Sequence, residues 1–482
     1  MSKKNKDAIR VSFLGENSED VTGSCTLITI GDKKILLECG LYQSCNSVMH
    51  DYKINSENFK FKAKDIDFVF VGHCHIDHIG RIPLLYKRGF RGKVISPTGT
   101  KMLSEILLRD SAFIMSKDAE FLNRKKNSKV SSDKYYEPIY CDSDVDICME
   151  NWLEYSFDSE IKLSDEIKFK FISSGHIVNS AQIVLWLKHN GNIKKVLYTS
   201  DIGNKNSPKI FASPIQSIKN ANLVIGECTY AQPDRNYTKK DRRKDLEKLK
   251  SVIESTCVEK HKKVLIPVFA NDRCQNIIMS LYEIFGSDKD FKIPIVVDSP
   301  MACRISELYK EIIPDKSKED YEKALAWDNV KFVKEYEESS SYQKSSMPMV
   351  VLASSGFMTA GRSQSWAQSV IQDPECTIMF CGFAHPNSLA GKIKTGDKKT
   401  ITISGKSFKN KCNVVILNSF SSHMQHDDLL DYYSKINTPK IALVHGDFLE
   451  KCKFTTELQN KLFSVNKTGK VICVNRSTEI LI

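Results

Sequence analysis

The chain has 482 residues, 41% hydrophobic and 27% charged, which supplies more than one packed core and excludes a disordered or fibrous protein. Its 70 Lys and Arg against 59 Asp and Glu give a net charge of +11, which suits a polyanionic partner without requiring one. Fifteen cysteines without a C-x-x-C pair, no leader-like N-terminal pattern and no apolar run of membrane-spanning length argue against a disulfide scaffold or a membrane protein and imply free thiols in a reducing cytoplasm.

The first part of the chain predicts strands joined by turns. KILLECG (34–40), FVFVGH (68–73), KVIS (93–96), IKFKFISSGH (167–176), AQIVLWL (181–187) and KKVLYTSD (194–201) are apolar and β-branched runs, several ending in Gly, Ser, Asp or His. Between Met115 and Glu160 the composition turns polar, with RKKNSK and SSDK, and predicts a helical excursion and surface loops outside the core. From Arg242 the rhythm changes to alternation. RRKDLEKLKSVIESTC, DRCQNIIMSLYEIF, CRISELYKEII and SWAQSVIQ have helical periodicity, and VLIPVF, IPIVVDS, MVVLASSG and TIMFCGF are buried-strand runs between them. Such alternation predicts a parallel sheet covered on both faces. VVILNSFSSH and KIALVHGD then return to the first style, apolar strand followed by histidine. The pattern predicts a first domain over residues 1–230, an insertion over 231–404, and a completing segment over 405–482.

Chemistry-bearing residues collect at strand ends. VGHCHIDHIGRIP (71–83) places His73, His75, Asp77 and His78 directly after an apolar run. Imidazole nitrogens and carboxylate oxygens suit zinc and similar first-row ions, and manganese fits the same donors. In an extended segment His73, His75 and Asp77 share one side, and a turn after it would bring His78 round. Four donors are too many for one open catalytic site and suit two adjacent metals. ISSGH, LYTSD and IALVHGD add His176, Asp201 and His445 in matching positions, and a carboxylate such as Asp201 is able to bridge two cations.

H-x-H-x-D-H followed by a strand-end His and a strand-end Asp resembles the metallo-β-lactamase superfamily. VIGECTYA (224–231), with Glu227, looks like motif A of its β-CASP branch; NSFSSH puts His423 at motif B and ALVHGD puts His445 at motif C. LIPVFANDRCQ, VVDSPMA and LASSGFMTAGR are also similar to β-CASP segments. The resemblance covers nearly the whole chain and implies an α/β fold, an αββα sandwich carrying an inserted parallel-sheet β-CASP domain. It implies two zinc ions, one held by His73, His75 and His176, the other by Asp77, His78 and His445, with Asp201 bridging and catalytic. A histidine at the motif C position resembles the RNA-acting members of the branch.

The implied reaction is hydrolysis of single-stranded RNA by metal-bound hydroxide, leaving a 5′-phosphate and a 3′-hydroxyl. His423 is the expected general acid and Glu227 holds its tautomer. The short stretch after His445 resembles compact stand-alone members and favours an endonuclease; a 5′-to-3′ exonuclease, a single-stranded DNA nuclease and a non-catalytic RNA-binding subunit are the alternatives. Homodimerisation is a further expectation. SSGFMTAGR reads as a phosphate cradle, with Ser355 and Arg362, or as a plain strand–helix turn. In GFAHPNSLAGK, His385 and Phe383 are candidates for stacking on a base, and Phe383 reads equally as a core residue. The sequence departs from the family at Glu38, where the strand-end motif carries Asp in support of the metal ligands, and at NSL (387–389), where a G-T-L-like segment is usual.

Overall fold

In the computed structural model, which describes residues 8–44, 47–127, 135–206, 211–396 and 399–482, the chain forms two units. The first takes in the chain up to Lys205, Ala212–Asn236 and His423–Ile482; the second takes in Tyr237–Ser422 together with Asn206 and Phe211.

Two seven-stranded sheets build the first unit. One runs edge to edge as β22 (Glu479–Leu481), β1 (Arg10–Phe13), β2 (Thr26–Ile30), β3 (Lys33–Leu37), β4 (Phe68–Phe70), β5 (Lys93–Pro97) and β6 (Trp152–Tyr155). The other runs β21 (Lys470–Cys473), β20 (Lys440–Val444), β11 (Leu223–Glu227), β10 (Asn192–Tyr198), β9 (Ala181–His189), β8 (Ile167–Ser173) and β7 (Ile161–Lys162). Alternation at β1 and β2 turns Val11, Phe13, Ile28 and Ile30 inward, where they meet Phe169, Phe171, Ile183 and Leu185 of the facing sheet in one shared core. The opposite face of the second sheet is covered by helices His426–Lys435 and Phe448–Ser464, which bury Leu429, Tyr433, Phe454 and Leu458. Helix Thr100–Asn127 lies against β5 and β6 and completes an αββα arrangement.

The second unit is built on a six-stranded parallel sheet in the order β14 (Val330–Val333), β13 (Ile295–Asp298), β15 (Met349–Ala353), β12 (Lys263–Pro267), β16 (Thr377–Phe380), β19 (Asn413–Ile416). Its four inner strands, β13, β15, β12 and β16, are buried along their length, as a sheet with helices on both faces requires. A small hairpin, β17 (Thr400–Ile403) and β18 (Lys406–Lys409), precedes the last strand.

Two readings of the sequence change here. VVILNSFSSH does not return to the first unit at once. β19 pairs in parallel with β16, so the chain crosses back at His423 rather than at the 404/405 boundary expected from composition. The 115–160 stretch is also not all surface. Helix Asp142–Glu150 buries Val145, Cys148 and Met149, and β6 forms the edge of the first sheet with Trp152 buried. The SSDK stretch, 131–134, lies outside the described residues. Among the described residues no helix is long and apolar enough to cross a membrane.

Candidate metal centre

The site is built at strand ends of the first unit. β4 stops at Phe70, and its extended path continues through Val71, whose N–H donates to Ile95 O at 2.9 Å. The chain then turns into a short helix, Ile76–Ile79, with His75 as the residue before it. This replaces the extended run expected from the sequence: Asp77 and His78 are presented by a helical turn, not by alternation along a strand. Gly40 allows the close packing behind it, since a Cβ there would lie 1.6 Å from Asp77 O. Asp201 follows β10, and His445 follows β20 with φ of 52°.

All seven expected ligands converge. Around one point lie His73 Nε2, His75 Nδ1 and His176 Nε2, with His75 Nδ1 at 3.0 Å from His73 Nε2 and 3.4 Å from His176 Nε2. Asp201 Oδ2 is 3.5 Å from His73 Nε2 and 3.6 Å from His176 Nε2. Around a second point Asp77 Oδ2 lies 3.3 Å from both His78 Nε2 and His445 Nε2. Asp201 faces this group too, with Oδ2 3.4 Å from His78 Nε2 and Oδ1 3.7 Å from His445 Nδ1.

The imidazoles are anchored from behind. His73 Nδ1 meets Ser200 Oγ at 3.1 Å, and that hydroxyl donates onward to Glu38 Oε1 at 2.7 Å. His78 Nδ1 lies 2.5 Å from Glu38 Oε2, which also accepts from Tyr198 OH at 2.5 Å. His445 Nδ1 meets Thr229 Oγ1 at 2.9 Å. Each anchor takes up the outer ring nitrogen and turns Nε2 inward, the arrangement that orients histidine ligands. His78 Nε2 and Asp201 Oδ1 are buried with no hydrogen-bond partner of their own. Buried polar atoms without partners are costly, and a cation among these donors satisfies them. The donor set therefore fits divalent metal.

Charge is arranged to match. Burial, reinforced by neighbouring imidazoles, holds His73 and His176 well below the ordinary histidine value and His75 at about 4, so these three stand neutral and ready to ligate. Burial opposes the charge on Asp77 and Asp201, but the surrounding histidines outweigh it and keep both carboxyls well below their usual range. His445 moves the other way, up to about 9, because Asp201 and Asp77 outweigh its burial.

Beside this cluster stands a second pair. His423 Nδ1 lies 3.4 Å from Glu227 Oε1 and 4.0 Å from Asp201 Oδ2. Its ring packs 4.5 Å from that of His176, and its backbone bridges to Gly203. Glu227 is almost wholly buried and also accepts from Ile202 N at 2.9 Å and Thr229 N at 2.8 Å. His423 is more exposed than His73, His78, His176 and His445, with 20% of its side chain accessible.

The three candidates in the second unit fare differently. The Arg362 guanidinium is committed internally: Nη1 pairs with the fully buried Asp298 at 2.5 Å and donates to Glu335 O, and Nη2 donates to Lys334 O. Trp366 Nε1 bonds the same aspartate at 2.7 Å. Arg362 is thus a structural residue in this arrangement, and its expected phosphate contact is withdrawn. Ser355 Oγ reaches Ala360 O at 3.3 Å within its own turn. His385 is half-buried, its Nδ1 accepting from Asn387 N at 3.2 Å.

Sequence comparison agrees with this geometry. Residues 19–127 match the metallo-beta-lactamase superfamily, 274–393 the Beta-Casp domain, and 409–466 the Zn-dependent metallo-hydrolase RNA specificity domain. The chain belongs to the β-CASP family of metallo-β-lactamase-fold ribonucleases. It is 29% identical to ribonuclease TTHA0252 of Thermus thermophilus over 89% of this chain and 91% of that one. It is 27% identical to transcription termination factor FttA of Methanocaldococcus jannaschii, over 94% of this chain and 69% of that protein. An RNase J-like protein of the same archaeon is 28% identical over 91% and 93% of the two chains. A solved structure of a protein of unknown function from Enterococcus faecalis shares the fold, with a TM-score of 0.54 at 12% identity, covering 98% of this chain and all of that one. The fold implies divalent-metal binding, and Glu227, His423 and His445, the residues expected at the β-CASP motif positions, all lie in the first unit.

Sequence reasoning missed the residues behind the ligands: Tyr198, Ser200 and Thr229. Each stood inside a quoted motif, LYTSD or ECTYA, one to three places from a selected carboxylate. Nothing in the pattern says which way they turn, because Glu38 and Ser200 adopt φ of 63° and 48°, set by tertiary contacts.

Proposed function

We propose that this chain is a zinc-dependent endoribonuclease that hydrolyses single-stranded RNA to products with a 5′-phosphate and a 3′-hydroxyl. The observation that carries the reading is the convergence of His73, His75, His176, Asp77, His78 and His445 on two points that share Asp201, with the His423–Glu227 pair alongside. When bound, a pair of cations would supply water activation near neutral pH and neutralise charge on the transferring phosphoryl group. Asp201, facing both points, keeps the two ligand groups in register. Glu227 takes up His423 Nδ1, which leaves Nε2 to hand a proton to the departing ribose 3′-oxygen. The RNA specificity match and the ribonuclease among the relatives support RNA over DNA.

The test is metal analysis of the purified protein combined with cleavage of 5′-labelled RNA and single-stranded DNA. Internal cuts in RNA support the proposal. Release of mononucleotides from the labelled end makes the chain an exonuclease, and uncut RNA with two bound zinc ions overturns the reading. A second arrangement has a specific basis, since Asp201, Glu227 and His423 also converge closely enough to hold an ion. Loss of bound metal in His423→Ala would make His423 a ligand.

A further inference from the structure

The parallel sheet of the second unit has a point where its connections diverge. From β12 the chain turns toward β13 on one side, and from neighbouring β16 it turns toward β19 on the other. In open α/β sheets, ligands bind outside the carboxyl ends of strands at such a divergence. Here those ends carry an aromatic group. Phe269 follows β12, Phe357 follows β15 and Phe383 follows β16. The rings of Phe269 and Phe357 meet edge to face at 5.0 Å, and those of Phe357 and Phe383 at 6.2 Å. Phe269 and Phe383 are 42% and 41% exposed, so this cluster is not a core. Gly356 permits the contact: a Cβ there would press within 3.1 Å of the Phe269 ring.

The surroundings are cationic. The Arg273 guanidinium ends on Cys381 O and Lys394 Nζ on Gly382 O at 3.0 Å, just before Phe383. Residues 382–411 carry seven lysines against one aspartate. Exposed aromatic faces within a positive field are the means by which proteins hold unpaired bases without reading their sequence.

We infer that Phe269, Phe357 and Phe383 form a stacking platform for a base of single-stranded RNA on the second unit. The inference rests on the ribonuclease reading and supplies it with a contact to the substrate that is independent of the metal centre. Because the rings engage any base by its face, the platform adds affinity without sequence preference.

The experiment measures binding of a fluorescent single-stranded RNA by anisotropy, with the protein freed of metal by EDTA so that nothing is cleaved. Phe269→Ala/Phe383→Ala should bind about 5- to 150-fold more weakly than wild type, and Phe383→Trp should retain affinity. Thermal midpoints check that the double variant is folded. A second measurement does not depend on its folding: wild type should bind an oligonucleotide of abasic sites more weakly than the same strand with bases. Equal binding of the two strands, or undiminished binding by the folded double variant, overturns the platform. Failure of the ribonuclease reading is detected separately, by the absence of RNA cleavage in metal-loaded wild type.

Discussion

Shortening Glu38 to the aspartate usual in the family should weaken this protein, not improve it. Glu38 is fully buried, and its carboxylate takes His78 Nδ1 and Tyr198 OH at 2.5 Å each and Ser200 Oγ at 2.7 Å. Its backbone is pinned, with its N–H on Phe70 O at 2.8 Å and the next N–H on His78 O at 2.9 Å. Removing one methylene withdraws the carboxylate by about 1.5 Å. Contacts of 2.5–2.7 Å would open to about 4 Å, beyond hydrogen-bond range, unless the chain moves. Each bond to a carboxylate is worth about 1.5–3 kcal/mol, so losing one or two costs about 1.5–6 kcal/mol in the metal-free protein. Because these bonds orient His78 and, through Ser200, His73, zinc affinity should fall about 10- to 100-fold. Urea unfolding of the metal-free protein and zinc competition with a fluorescent chelator measure both quantities. Glu38→Gln is the companion variant. It keeps the length but turns one acceptor into a donor facing donors, so it should fail as well. A Glu38→Asp protein with wild-type zinc affinity and an unchanged urea midpoint would refute the reasoning.

His423→Ala should reduce RNA turnover by about 10²- to 10⁴-fold at unchanged zinc content, read from initial rates and metal analysis. Asp201→Asn removes the charge facing both ligand groups, and elemental analysis should find it short of metal at both. For the metal-free protein, depressed folded-state values at His73, His75 and His176 mean that protonation favours unfolding. Their contribution is present above about 6.5 and is lost as pH falls toward about 4, the value at His75, so the urea midpoint should drop across that window. His445 contributes in the opposite sense, stabilising below about 6.5 and losing that contribution as pH rises to about 9. Arg362→Met leaves Asp298 buried without its cation and should cost about 3–5 kcal/mol of stability, seen in denaturant unfolding.

The candidate donors were legible in the amino-acid pattern. Apolar runs ending in His or Asp fixed His73, His176, Asp201 and His445 at strand ends, because a buried strand has to surface where its loop begins and there meets water or ligand. Alternation of strand and helix periods likewise determined the parallel sheet of the insertion. Tertiary structure alone decided directions and partners. Asp77 faces its ligand group from a helical turn, and Glu38, Ser200 and His445 are held at positive φ by long-range hydrogen bonds that no local pattern encodes. The crossing at His423 was hidden because Asn413–Ile416 is an apolar run that either sheet would accept, and only pairing with Thr377–Phe380 assigns it. Arg362 looked free because its partner Asp298 lies on another strand, and Phe383 stayed open between core and stacking because exposure depends on what packs around a ring. Periodicity reports which residues leave water; what they meet there is a property of contacts distant in sequence.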